Sequence, residues 1–484
     1  MDRLLGMYVH THWSYNQPYA ARTWTLGHWK GYLTGLSRMG YNLVQIWPML
    51  DTMPVPPTPS DLAHLDKLRR VIRYAHDELG MTVYVGIGPN TSANEHAASF
   101  SFEDRNYFEA EVLVNSSDEA AMDREMERRR ALLEPLSEAD GLWVLDCDPG
   151  GCVGSPVSDF VDILLRHRDM LDRLRPGIRL VYWMWAGWTD KHRFDPEWTG
   201  NAQSCWVEVL QSLKRLNPEP WALHACMPGH FKSIEQVGVV ERTHFYPYNL
   251  VEYEPSYPFT NWEPKRIADA FAAFSQYSYP MGALGNSQTH CVQIPHAYVF
   301  SHIARGGSLD DLDPAVFGER LIPGHGEGLA QAWRAMSIET DDPAVPRSAI
   351  EPIQGLLHAP NIATGDLEGL FFGSPRRYLE DLALQLGLWS EILTLKHAGK
   401  SPERLRRALR SVVDALVAWN ARHGFRDRYD DVYYYGHAHP IFRDAFAALG
   451  TPEAEAVLDR LDMLSGRSHG QTTALLDAMR RAVV

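Results

Sequence analysis

The sequence predicts an α/β chain: a closed (β/α)₈ TIM barrel over residues 1–305, a connector over 306–345 and an α-helical domain over 346–484. Three observations carry this. Eight short apolar runs end in turn residues, and segments of helical periodicity fill most of the gaps between them. Beyond about residue 305 the strand signal gives way to long amphipathic patterns. Parallel strands need helical crossovers, and eight of them close around a core of their own side chains.

In chain order the strand candidates are "MYVHTHW" (7–13), "YNLVQIWP" (41–48), "TVYVGIGPN" (82–90), "GLWVLDCDP" (141–149), "IRLVYWMW" (178–185), "WALHACM" (221–227), "RTHFYPY" (242–248) and "MGALGNSQ" (281–288). Helices are expected near 25–39, 60–79, 118–134, 158–174, 204–216, 230–238, 263–275 and 295–304. The second of these reads as starting at an N-cap Ser60, with Leu62, Leu65, Leu68, Val71 and Ile72 on one stripe and Gly80 as its stop. The fourth runs from Ser158 to the Pro176-Gly177 stop. "RGGSLDDLDPAVFGERLIPGHGEG" supplies the connector, and "RRYLEDLALQLGLWSEILTLKHAG" and "SPERLRRALRSVVDALVAWNARHG" are amphipathic helices of the last domain.

Composition narrows the class. At 45% apolar and 22% charged residues the chain can bury a sizeable core. A net charge of -15 argues against nucleic-acid or anionic-membrane partners, which are bound through excess Lys and Arg. No run reaches the roughly 18 apolar residues of a membrane span, and the start, "MDRLLGMYVHTHW", has no basic region followed by a long apolar segment, so a cytoplasmic protein is expected. Five scattered cysteines without a CxxC pair fit reduced thiols. The tyrosine-rich run "DDVYYYGHAHPIFRDAF" (430–446) reads as an interdomain seam or as the contact of a homodimer.

Barrels of this kind carry their active sites at the carboxyl ends of the strands. Here those ends are polar and aromatic: His10, Thr11, His12 and Trp13 on the first strand, Gln45 and Trp47 on the second, Asn90 on the third, Trp183 and Trp185 on the fifth, Tyr246 and Tyr248 on the seventh, and Asn286, Gln288 and His290 on the eighth. Aromatic faces pack against sugar C–H surfaces while neighbouring polar groups select hydroxyls. The fourth strand ends in "LDCDPGG", where alternation puts Leu142, Val144, Asp146 and Asp148 on one side. With that side inward, two carboxylates about 7 Å apart enter the barrel mouth, and Gly150-Gly151 lets the backbone turn beside a ligand. The competing reading is a plain turn capped by Asp148.

This pattern resembles the (β/α)₈ glycoside hydrolases, in particular the chitinase-like family 18 and the hexosaminidase family 20, over about residues 7–305. Family 18 carries D-x-D-x-E at the fourth strand with the final Glu as general acid; Asp146 and Asp148 match, and Gly150 stands where that Glu would fall. The adjacent Asp-Glu pair of family 20 is also absent. The resemblance therefore implies architecture and carboxylate chemistry, with no general acid transferred by motif. Asp148 is the first candidate for acid–base work, Asp146 its partner or orienter, and Glu252 in "YNLVEYEPSYPF" the best of the other carboxylates.

His10-Thr11-His12 also resembles the H-x-H metal pair of amidohydrolase barrels, although the bridging lysine, the fifth-strand histidine and the eighth-strand aspartate of that pattern are missing. The expectation is thus a metal-free, exo-acting glycoside hydrolase of a small glycan or glycoconjugate, without a cofactor. A metal-dependent amidohydrolase-like enzyme and a non-catalytic sugar-binding barrel are the alternatives.

Overall fold

A computed structural model describes residues 3–11, 16–105, 107–147, 150–151, 155–185, 202–216, 218–252, 260–399, 401–424, 436–464 and 472–484. Three residues singled out by the sequence, His12, Trp13 and Asp148, lie outside them. Eight parallel strands close a barrel: β1 (Leu4–Val9), β2 (Leu43–Ile46), β3 (Thr82–Ile87), β4 (Gly141–Leu145), β5 (Arg179–Met184), β6 (Trp221–Ala225), β7 (Thr243–Phe245) and β8 (Gly282–Ser287), with β8 pairing back onto β1. Every expected strand is present, each shorter than its apolar run. The runs continue into loops because a carboxyl-end segment can stay buried after its ladder hydrogen bonds stop.

Eight helices follow the strands in the chain: α1 (Leu26–Arg38), α2 (Pro59–Asp77), α3 (Glu119–Leu133), α4 (Val157–Leu174), α5 (Ala202–Leu216), α6 (Pro228–Val237), α7 (Pro264–Ala273) and α8 (His290–Ala304). The start of α2 differs in detail from expectation. Thr58 is the N-cap, in a reciprocal capping box with Asp61, because Pro59 fills the first helical position and needs no partner for a missing N–H. Leu62 falls off the stripe and is 54% exposed, whereas Leu65, Leu68, Val71 and Ile72 are buried.

Two compact units emerge. The first comprises Met1–Ser14, Trp24–Tyr248 and Asp269–Gln288 and contains the barrel; the second comprises Tyr15–Thr23, Asn249–Ala268 and Thr289–Val484 and is helical. The stretch expected as a connector carries helices of its own, Pro314–Leu321 and Gly326–Ala335, whose buried Phe317, Leu321, Leu329 and Trp333 were masked in the sequence by surrounding Gly and Pro. Within the second unit the longest helices are Pro375–Lys396 and Pro402–His423; Tyr19 donates to Asp381 on the first of them, and Arg422 on the second donates to the same carboxylate. The four described cysteines are free thiols, and no helix among the described residues is long and apolar enough to cross a membrane.

Candidate active site

Strand register decides which side chains enter the barrel. Tyr8 pairs with Gln45 and Asn286, Gln45 with Tyr84, Gly86 with Trp143, and Trp183 with His224. These form the interior face, as ring contacts across it show: Tyr8 lies 5.6 Å from both Trp143 and Trp183, Trp143 lies 5.0 Å from Trp183, and Trp183 lies 4.6 Å from Tyr246. Gly86 makes this possible, since a Cβ there would overlap the Trp143 indole. The four rings are buried and seal the barrel with an aromatic floor.

The expected orientation of β4 is therefore reversed. Trp143 and Leu145 point inward, while Leu142, Val144 and Asp146 face the surrounding helices. Alternation separates two faces but cannot rank them when both are buried, as all five residues of β4 are. Asp146, fully buried, accepts from the Tyr182 hydroxyl at 3.1 Å and from the Trp185 backbone N–H at 3.2 Å. Tyr182 in turn packs on Phe160 of α4 at 5.2 Å. Asp146 thus braces the end of β5, the point from which Trp185 projects.

The loops after β2 and β3 are held by residues the sequence reading missed. Asp51 is buried and accepts from Trp47 Nε1 at 2.8 Å, from the Gly88 N–H at 3.0 Å and from the Thr91 hydroxyl. Arg129 on α3 donates to the carbonyls of Gly88 at 2.7 Å, Pro89 at 3.1 Å and Thr91 at 2.6 Å, and Arg128 donates to those of Leu50 and Met53. Glu125 binds both guanidiniums; burial pushes its carboxyl up, but the two arginines outweigh that and hold it low. An Arg-Arg pair beside a Glu on a predicted helix was the available signal, and it was read as surface charge.

Asn90 sits inside this frame. Its Oδ1 accepts from the Gly151 N–H at 2.7 Å and its Nδ2 donates to the Val114 carbonyl at 2.6 Å, so the amide ties the loops after β3 and β4 together. Gly150, at φ +146°, packs so closely on Pro89 that a Cβ would overlap its ring. The glycine pair expected to border a ligand instead lets the β4 loop lie against Pro89 and Asn90.

Above the floor the barrel opens through His10, whose ring lies 4.1 Å from Tyr8, through Trp47, 5.1 Å from Trp143, and through Asn286 and Gln288 at the end of β8. Trp185 meets Trp183 at 5.6 Å and Tyr248 at 4.5 Å, edge to face in both cases, and Tyr248 is 38% exposed. These aromatics run from sealed floor to open rim. Glu252 and His290 belong to the second unit; both are buried, and the Glu252 carbonyl accepts from Gln293 Nε2 at 2.8 Å.

The buried histidines and thiol of the barrel are chemically quiet. Burial lowers His224 well below its ordinary value, with His244 beside it at 5.1 Å adding to the effect, and brings His244 to about 3. His230 on α6 is likewise held to about 3 by burial and accepts at Nδ1 from the Cys226 N–H at 3.2 Å. Its Nδ1 lies 3.6 Å from the Cys226 sulfur, but burial, with the Asp146 charge, pushes that thiol well up. A protonated thiol is a poor nucleophile. The pair instead joins the ends of β5 and β6, because Cys226 Sγ donates to the Met184 carbonyl at 3.3 Å. Among the described residues no three His, Cys, Asp or Glu are grouped as ligands of one metal ion.

No family model matches the chain, and no curated protein matches its sequence. Among solved structures it is similar to a GH138 enzyme targeting pectin rhamnogalacturonan II, with a TM-score of 0.51 at 10% identity over 96% of this chain and 69% of that one. It is similar as well to the family 89 glycoside hydrolase from Clostridium perfringens in complex with PUGNAc, with a TM-score of 0.52 at 9% identity over 100% of this chain and 66% of that one. A second structure of a family 89 enzyme from that organism, holding GlcNAc-alpha-1,4-galactose, gives the same TM-score of 0.52. This chain therefore spans about two thirds of the length of each. At these identities the likeness is one of fold, a (β/α)₈ barrel with a helical C-terminal region, and the families named are 138 and 89 in place of the expected 18 and 20.

Proposed function

We propose that this chain is a glycoside hydrolase that removes a terminal sugar from a small glycan or glycoconjugate by carboxylate acid–base catalysis. The observation that carries the reading is the aromatic wall of Trp183, Trp185, Tyr246 and Tyr248, which rises from a sealed floor to an open rim with amide side chains at the neighbouring strand end. Flat indole and phenol faces match the C–H faces of a pyranose, and amides match its hydroxyls. A closed floor favours a chain end over an internal sugar. The glycoside hydrolases among the similar solved structures support the same reaction class.

Hydrolysis needs an acid to protonate the leaving oxygen and a second carboxylate as base or nucleophile. Asp148, three residues after the last residue of β4, is assigned the first role, and Glu252, which follows the seventh strand in the chain, the second. Asp146 acts as an orienter, through Tyr182 and the Trp185 backbone. Release of chromophore from a panel of aryl glycosides, with and without a strong chelator, tests the reading. Cleavage that survives the chelator and falls at least about 100-fold in Asp148→Asn is expected. Near-normal turnover in that variant would sink the assignment, and activity abolished by the chelator would favour the amidohydrolase-like alternative.

A further inference from the structure

The charges around the barrel mouth narrow the sugar. Two arginines reach the carboxyl ends of β2 and β3, and neither has a donor to spare. Arg129 spends its guanidinium on three carbonyls, on Glu125 and on His167 at 2.8 Å. Arg128 spends its own on Glu125 and on the Leu50 and Met53 carbonyls. Their two positive charges stand against the carboxylates of Glu125 and Asp51, so no positive charge is left over there.

Further round the barrel, Asp146 places a carboxylate behind the Trp185 wall, where the Tyr182 hydroxyl and a backbone N–H, both neutral donors, hold it. The inward Arg179 lies at the amino end of β5, where it donates to the Tyr84 hydroxyl at 2.9 Å. Among the described residues, the inward side chains at or just past the carboxyl ends are His10, Trp47, Trp185, Tyr248, Asn286 and Gln288, none of them Lys or Arg. The whole chain adds a net charge of -15. A sugar carboxylate entering this mouth would lose its hydration, face Asp146 across the wall and meet no cation in exchange, which is unfavourable.

We propose that the mouth selects uncharged pyranosides, hexosides or N-acetylhexosaminides, over uronides and sialosides. The inference rests on the glycosidase reading for its use in catalysis, but selectivity of binding is measured separately. Matched aryl glycosides that differ only at C6, glucoside against glucuronide and galactoside against galacturonide, are compared by kcat/KM together with the aryl N-acetylhexosaminides. Binding of the free neutral sugars and of glucuronate and galacturonate is followed by calorimetry on the same full-length protein.

A preference for a neutral substrate over its matched uronide of at least about 100-fold is expected, with calorimetric binding of a neutral sugar alone. Binding of a neutral sugar without cleavage of any glycoside would support the selectivity while removing the hydrolase reading. A uronide cleaved or bound as well as its neutral counterpart would overturn the proposal and direct attention to Lys191 and Arg193 of the chain. Binding of neither class would overturn it too.

Discussion

At the scale of single residues, the division of labour between Asp146 and Asp148 is the sharpest consequence of the structure. The two stand two positions apart in the sequence and were read as a pair, yet the partners of Asp146 place it behind the wall. Replacing it with alanine would leave a buried hydroxyl and a buried N–H without an acceptor, at about 1–3 kcal/mol each. Asp146→Asn keeps one acceptor oxygen and loses the charge. Urea denaturation is expected to show Asp146→Ala less stable by about 2 kcal/mol or more and Asp146→Asn by less. In the glycoside assay Asp146→Asn should keep turnover within about tenfold of the parent, since an orienting group is lost only in part. A loss in Asp146→Asn as large as that of Asp148→Asn, at unchanged stability, would place Asp146 among the reacting groups instead.

At the scale of elements, the barrel strands and the helices between them were legible because each has a period, two or 3.6 residues, that its apolar residues follow. What was not legible is how the elements are locked. Residues 119–133 read as a helix with little amphipathicity, and only the structure shows why: its Glu125, Arg128 and Arg129 are turned inward to grip the loops after β2 and β3. The same limit reversed β4, whose alternation was read correctly and assigned to the wrong face, because the deciding feature, the bare Gly86 beside Trp143, belongs to another strand. Periodicity is local, whereas the partner of a buried charge or a large ring lies tens of residues away. The α3 clamp is expected to be costly to break: Arg129→Leu removes donors from three buried carbonyls and leaves Glu125 with one arginine, for a loss of about 3 kcal/mol or more in urea unfolding. Arg129→Lys retains the charge without the planar fork and should recover only part of that loss. An unchanged unfolding midpoint in Arg129→Leu would show that the loops are held some other way.

At the scale of the whole molecule, both units carry histidines that folding keeps neutral. Burial holds His167, His230 and His244 of the first unit to about 3, with Arg129 adding to the effect at His167, and burial holds His296 and His423 of the second unit to about 3 as well; His224 is lowered further still. Each is free to take up a proton near pH 6.5 once unfolded. Between its folded value and 6.5 the unfolded chain therefore binds more protons than the native one, so stability rises with pH in that window and is lost as pH falls through it, by about 1.4 kcal/mol per pH unit for each such histidine. His76 has the opposite sign, because its hydrogen bond to Asp140 raises it, but it is partly exposed and single. Depressed carboxyls such as Glu125 add to the loss only at lower pH, on approaching the ordinary carboxylate range. The expected outcome is a melting temperature nearly level above pH 7 that drops steeply between pH 6.5 and 5, with the barrel and the helical unit weakening over the same interval. Calorimetric melts across that range check it. His423→Phe, which cannot take up the proton when unfolded, should flatten the slope by one histidine's share. A melting temperature that held or rose as the pH was lowered from 7 to 5 would mean that these imidazoles are already charged in the folded protein.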